Sequence, residues 1–331
     1  MLRRLSRPLL ALFVLAASPV GVLLAQDHLL NASFDVSREL FKEENTAFAL
    51  QWKAKTGRDV QLQQSHVGSS QQARSVRDGL PADVVTLNQI SDIQLLVSEH
   101  LVAPDWATKF PNHAAPYTST TTFVVVAGNP KGIHDWNDLI RPGIRIALVN
   151  PKTGGNGRYA FLAAWAYGLK HFQGDEEKTR AFVAQVYQHV PVLDSGGRAA
   201  TSTFANRGLA DVLITFASEV PLLVRDVDGK KFEQVVPSTS LRVEFPVAVV
   251  DGVVDRSHNR VLAEAYLNFL YSEEGQRIIA HNGFIPLKAA EGTDRAVLDV
   301  RTVFGSWTEA QAKFFADGAI FDQIVEANGK G

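Results

Sequence analysis

The chain has 331 residues, 46% hydrophobic and 21% charged, with no cysteine and a formal net charge of −2. Without cysteine it can form no disulfide and cannot be lipidated by the bacterial lipoprotein route. The mildly acidic balance offers no electrostatic footprint for nucleic acid or anionic lipid.

Residues 1–25, MLRRLSRPLLALFVLAASPVGVLLA, read as a secretory leader. Arg3, Arg4 and Arg7 form a basic start, an apolar run follows, and Ala25 offers a small residue for cleavage. Pro8 and Pro19 argue against a stable membrane anchor. Losing the three arginines takes the formal charge from −2 to −5, and the product is expected to be exported and soluble. Residues 26–331 are enough for two α/β lobes, each with its own core.

A short strand-like run ends at NASFDVSREL, around Asp35 to Ser37, and the first helix starts there. In SRELFKEENTAFALQWKAKTG, Phe41, Phe48 and Trp52 fall on one stripe and Gly57 supplies a C-terminal stop. QSHVGSSQQARSV offers Ser69 and Ser70 as N-caps of another helix. Strands are expected at 83–87, 120–127, 144–149, 190–193, 211–216, 232–236 and 245–250. NPKTGGNGRYAFLAAWAYGL packs three glycines and an asparagine before a helix whose Phe161, Trp165 and Leu169 recur at i, i+4 and i+8. VLDSGGRAATSTFANRG places Ser195, Gly196 and Gly197 before a short helix ending near Gly208.

Strands alternating with helical patterns predict mostly parallel sheets with helices on both faces. HAAPYTSTTTFVVVAGNPKG and RVEFPVAVVDGVV look like paired connectors that let the chain leave one lobe, build a second and return. Lobe 1 is therefore expected over 26–120 together with 245–331, and lobe 2 over 121–244. In such folds ligands lie beyond the carboxyl ends of strands, between the units.

Four of the loops share one chemistry: each exposes backbone N–H groups at a helix start, where the local field favours an anion. A fully ionised tetrahedral oxyanion carries acceptors only, so donors alone suit it. Phosphate near neutral pH often keeps a proton and would reward an added carboxylate; sulfate has none.

The motifs LLNASFDVSREL, QSHVGSSQQARSVRDGLPADVVTL, APYTSTTTFVVVAGNPKGIHDWNDL, NPKTGGNGR, VLDSGGRAAT, RGLADVLI and AYLNFLYSEEGQ, in this order, resemble the periplasmic sulfate-binding proteins of the sulfate/thiosulfate ABC-importer family. The resemblance spans essentially all of the mature chain. It implies a two-lobed periplasmic binding protein of type II, binding without turnover. The ligand donors it implies are the Asp35 N–H, the Ser69 hydroxyl, the amides of Gly154, Gly155 and Asn156, and the Gly197 amide. Phe216 stands where the family has a tryptophan; it keeps an aromatic wall but has no N–H, and one hydrogen bond to a charged ligand contributes roughly 1.5–3 kcal/mol. Asn156 stands where the family has a glycine.

The same resemblance implies a periplasmic monomer with no cofactor of its own, docking on an ABC permease driven by a separate ATPase. Other ligands in the class are thiosulfate, molybdate or a sulfonate. An exported sulfate- or phosphate-ester hydrolase is the reading from a different class. DSGG, Asp194 to Gly197, echoes the nucleophile segment of trypsin-like proteases, yet the matching histidine motif is missing, so Ser195 is read as an N-cap and no catalytic residue is assigned. His66 is read as a loop hydrogen-bonding group and Asp35 as an N-terminal cap. Arg158 is read as touching either the anion or a surface carboxylate. The nine histidines show no pair at metal-ligand spacing.

Overall fold

The computed structural model describes residues 26–226, 231–289 and 297–329; the leader expected at 1–25, with its cleavage near Ala25, lies outside them. The strands are β1 (Asp27–Phe34), β2 (Val60–Val67), β3 (Val84–Thr86), β4 (Tyr117–Val126), β5 (Ile146–Val149), β6 (Leu193–Asp194), β7 (Val212–Phe216), β8 (Phe232–Val235), β9 (Ser240–Glu244), β10 (Val247–Val249), β11 (Ile285–Pro286) and β12 (Val297–Leu298). One sheet has the order β10-β3-β1-β2, parallel except for β10. The other runs β12-β9-β4-β7-β5-β6, with β8 and β11 also on β4. Its β7-β5-β6 part is parallel, and the β4 pairings are antiparallel. The expected alternation gives this mixed two-lobed α/β fold.

Local chemistry accounts for the helices that matter here. Arg38–Thr56 buries Phe41, Phe48 and Trp52 and stops at Gly57, whose φ of 73° is the left-handed cap only glycine adopts at little cost. Gly155–His171 is buried from Gly155 through Gly168. Gly157 is required there because a Cβ would lie 2.2 Å from the Val149 carbonyl oxygen.

β4 and β9 pair at Thr118 opposite Glu244, so the two connectors expected from sequence run side by side. Phe245, between β9 and β10, stacks on Phe34 at 5.1 Å and on Tyr117 at 4.9 Å, and meets Phe216 edge-on at 5.7 Å. These rings join the two sheets where the chain passes between them.

The C-terminal segment departs from the expected lobe 1. Phe314, Phe315 and Phe321 pack on Phe161, and Trp307 packs on Tyr159. Lys152 Nζ donates to the Phe315 carbonyl at 3.0 Å and to Asp322 at 2.9 Å. Residues 300–327 therefore cover the helix Gly155–His171 beside the second sheet. Their aromatic spacing carries no label of the partner, so sequence alone could not place them.

Glu44 lies on the first helix with no exposed surface, and neither carboxyl oxygen has a hydrogen-bond partner. Burial, with Glu274 and Glu43 nearby, pushes its acid up to about 9. The folded chain thus keeps a proton that the unfolded chain releases above its ordinary value of 4.5, so this group's stabilisation is full below that pH and is lost as pH rises toward 9. Burial also raises Glu219, but only to about 7. Glu44→Gln should consequently reduce the loss of melting temperature between pH 7 and 9, measured by thermal unfolding at each pH. An unchanged slope in that interval would show that Glu44 is ionised in the fold.

Candidate functional site

The cleft between the sheets is built from helix starts facing one another. From the first sheet come the short turn Asp35–Ser37 and the helix Ser69–Arg77; from the second come Gly155–His171 and Gly197–Thr201. The first amides of a helix have no intrahelical acceptor, and Gly155, Asn156 and Gly197 occupy such first-turn positions. Gly154 does not: it is the N-cap, and its N–H donates to the Asn150 carbonyl at 3.1 Å.

Asp35 does more than serve its own turn. Its Oδ2 accepts the Arg198 N–H at 2.9 Å, so it caps a helix of the opposite lobe. The Asp35 and Val36 amides also point at this carboxyl. Burial nevertheless outweighs these hydrogen bonds and the Arg198 charge, and raises the acid above its ordinary value. Arg198 pairs in turn with Glu39.

Ser69 opens its helix, with Gly68 in the N-cap position that Ser69 and Ser70 were expected to fill. Its hydroxyl donates to Asp92 Oδ2 at 2.6 Å and accepts the Asn88 N–H at 3.1 Å. Asp92 also faces Arg158, 3.9 Å away. Arg158 is buried rather than at the surface: it donates to Ser91 Oγ at 2.8 Å and to the Pro151 carbonyl at 2.9 Å. It thereby ties the second lobe's glycine loop to the first lobe. Gln71 N–H to the Thr153 carbonyl, 3.3 Å, and Arg74 to the Lys152 carbonyl, 3.2 Å, repeat that tie. The cleft is closed.

Phe216 is fully buried. Its ring meets Tyr159 at 5.8 Å and Phe245 at 5.7 Å, both edge-on, so it is a wedge between lobes. Asn156 fills the polar space instead. Its Nδ2 donates to Glu219 Oε1 at 3.0 Å, and its Oδ1 accepts from Asn88 Nδ2 at 3.1 Å. Glu219 also holds Thr215 and lies near Asp35, whose charge adds to the effect of burial on its acid.

Asn88 and Glu219 were not anticipated from sequence. Neither belongs to a glycine-rich loop, and their partners are distant in the chain. His66 is neutral, pushed down to about 4 by burial and by the charges of Arg38 and Arg198. Gly196, not Ser195, is the N-cap of Gly197–Thr201.

Two α/β sheets joined by adjacent connectors, closing helix starts over a buried cleft, define a two-lobed solute receptor of the periplasmic type II fold. The chain belongs to the bacterial extracellular solute-binding protein family, whose family model matches residues 41–285. It is 48% identical to a thiosulfate-binding protein of Pseudomonas aeruginosa over 93% of this chain and 95% of that one. It is 45% identical to a sulfate-binding protein of Escherichia coli over 94% and 96%. The solved sulfate-binding protein SubI of Mycobacterium tuberculosis superposes with a TM-score of 0.79 at 30% identity, covering 88% of this chain and all of that one.

Proposed function

We propose that this chain is a periplasmic receptor that captures sulfate or thiosulfate in the closed cleft and delivers it to an ABC permease with a separate ATPase, without chemical turnover. The carrying observation is the helix start of Gly155–His171, whose free amides at Gly155 and Asn156 face the opposite lobe in a buried junction. In that low-dielectric setting, oriented amides hold an anion without a buried cation. The named relatives support the choice of oxyanion.

The ligand set we propose is the amides of Gly155, Asn156 and Gly197; the two donors also expected from sequence are engaged otherwise, the Ser69 hydroxyl with Asp92 and the Asp35 N–H with its own carboxyl. Gly154 shapes the loop and Phe216 the lobe junction. The rigid units would be 26–120 with 245–289, and 121–244 with 297–329 attached. Thiosulfate fits this site on a specific ground: its terminal sulfur is a poorer acceptor than oxygen, so a cleft with no donor on Phe216 forfeits less with it.

Calorimetric titration of the dialysed mature protein tests the proposal. Sulfate and thiosulfate should each bind one to one, within about ten-fold of each other, and phosphate should displace neither. Displacement by phosphate at similar concentration would overturn the choice of fully ionised oxyanion. Steady turnover of a chromogenic sulfate or phosphate ester would overturn the receptor role itself.

A further inference from the structure

Asn88 follows β3 in the first lobe and is only 1% exposed. It touches three residues of the cleft. Its N–H donates to Ser69 Oγ, its Nδ2 reaches Asn156 across the cleft, and its Oδ1 lies against Gly155. That last contact is close enough that a Cβ on Gly155 would fall 1.9 Å from the oxygen. Yet Asn88 Oδ1 has no hydrogen-bond partner among the described residues. A buried amide oxygen left unpaired beside a helix start is unusual, because such groups are nearly always satisfied.

A carboxamide presents an acceptor at one end and two donors at the other, and a half-turn about χ2 exchanges them. Turned that way, Asn88 directs Nδ2 toward the Gly155 amide, where an anion would lie, and offers Oδ1 to Asn156. Asn156 can follow with the same half-turn, giving Nδ2 to Asn88 and Oδ1 to Glu219. That last contact requires a proton on Glu219, which burial and the Asp35 charge favour against the opposing Arg198 charge and Thr215 hydroxyl. The chain Asn88–Asn156–Glu219 therefore has two complete hydrogen-bonding directions, and the second aims a donor into the cleft.

We propose that the Asn88 carboxamide is an anion-binding group of this cleft, supplying through Nδ2 the donor that Phe216 lacks. This rests on the reading of the cleft as an oxyanion site and adds a residue to it. A neutral donor of this kind strengthens binding of a dianion without importing a charge that would also attract other anions.

The test is sulfate titration of the wild type, Asn88→Ala, Asn88→Asp, Asn156→Ala and the Asn88→Ala/Asn156→Ala pair, with melting temperatures of the unliganded proteins as a check on folding. Asn88→Ala should weaken sulfate about ten-fold or more, the size of one hydrogen bond to a charged ligand. Asn88→Asp, of the same size but negatively charged, should weaken it further at pH 8. The loss caused by Asn88→Ala should persist in the Asn156→Ala background, because the anion and not Asn156 is its principal partner. If that loss vanishes in the Asn156→Ala background, Asn88 acts only as a latch between lobes and the proposal is overturned. Sulfate affinity of Asn88→Ala within about three-fold of wild type overturns it as well, leaving the receptor reading intact. A wild-type protein that binds neither sulfate nor thiosulfate overturns both.

Discussion

Gly68→Ala is expected to weaken sulfate binding by roughly five- to a hundred-fold while leaving the melting temperature of the unliganded protein nearly unchanged. The backbone of Gly68, with φ of −55° and ψ of 140°, suits alanine as well as glycine. The obstacle is across the cleft. A Cβ there would fall 2.6 Å from the Thr153 carbonyl oxygen and 2.7 Å from that of Ser195, both backbone atoms of the opposite lobe. Such overpacking costs typically 1–3 kcal/mol, and it would be felt only when the lobes close. Calorimetry gives the affinity, and small-angle scattering in saturating sulfate gives the shape. A variant that binds with wild-type affinity and compacts equally would show that Gly68 does not approach the other lobe in the bound state.

The second large effect is on stability. Phe161→Ala should lower unfolding free energy by about 3–5 kcal/mol, the usual range for an aromatic removed from a core. The ring has no exposed surface and meets Trp165, Tyr187, Phe314, Phe315 and Phe321 at centroid distances of 5.4 to 6.1 Å. Three of those five partners belong to the C-terminal segment, so part of the loss should be local. Limited proteolysis should cut residues 300–327 in the variant before the rest of the chain. Uniform digestion of the whole chain instead would mean that this segment has no separate hold on the second lobe.

Much of the fold was legible because its determinants are near neighbours in the chain. The stripe of Phe41, Phe48 and Trp52 and the stop at Gly57 mark a helix whose buried face and C-terminal cap are encoded at intervals of four to seven residues. The glycine loop before Phe161 was readable in the same way: Gly155 and Asn156 are helix-start donors because of their position in the first turn. Both connectors were visible as turn-rich approaches to strands, and they run adjacent in the fold.

The details of the site depend on contacts that no local pattern encodes. Asp35 looks like a cap for its own helix, but its carboxyl also caps one that begins 162 residues later, through a bond spanning 163 positions to Arg198. Gly154 has the composition of an amide donor, yet loop closure turns its N–H onto Asn150. Phe216 keeps the aromatic character of its position, while packing against Tyr159 and Phe245 removes it from solvent. Asn88, Asn156 and Glu219 are individually unremarkable polar residues separated by 68 and 63 positions, and only closure of the lobes makes one hydrogen-bonded chain of them.

By itself, then, the sequence determined the two-lobe α/β plan and the helix starts, which follow from periodicity and capping over short windows. Tertiary structure decided which amides remain free, which carboxyl groups lose their solvent and which polar side chains meet across the cleft. Those properties belong to surfaces brought together from opposite ends of the chain, and desolvation acts only once they meet.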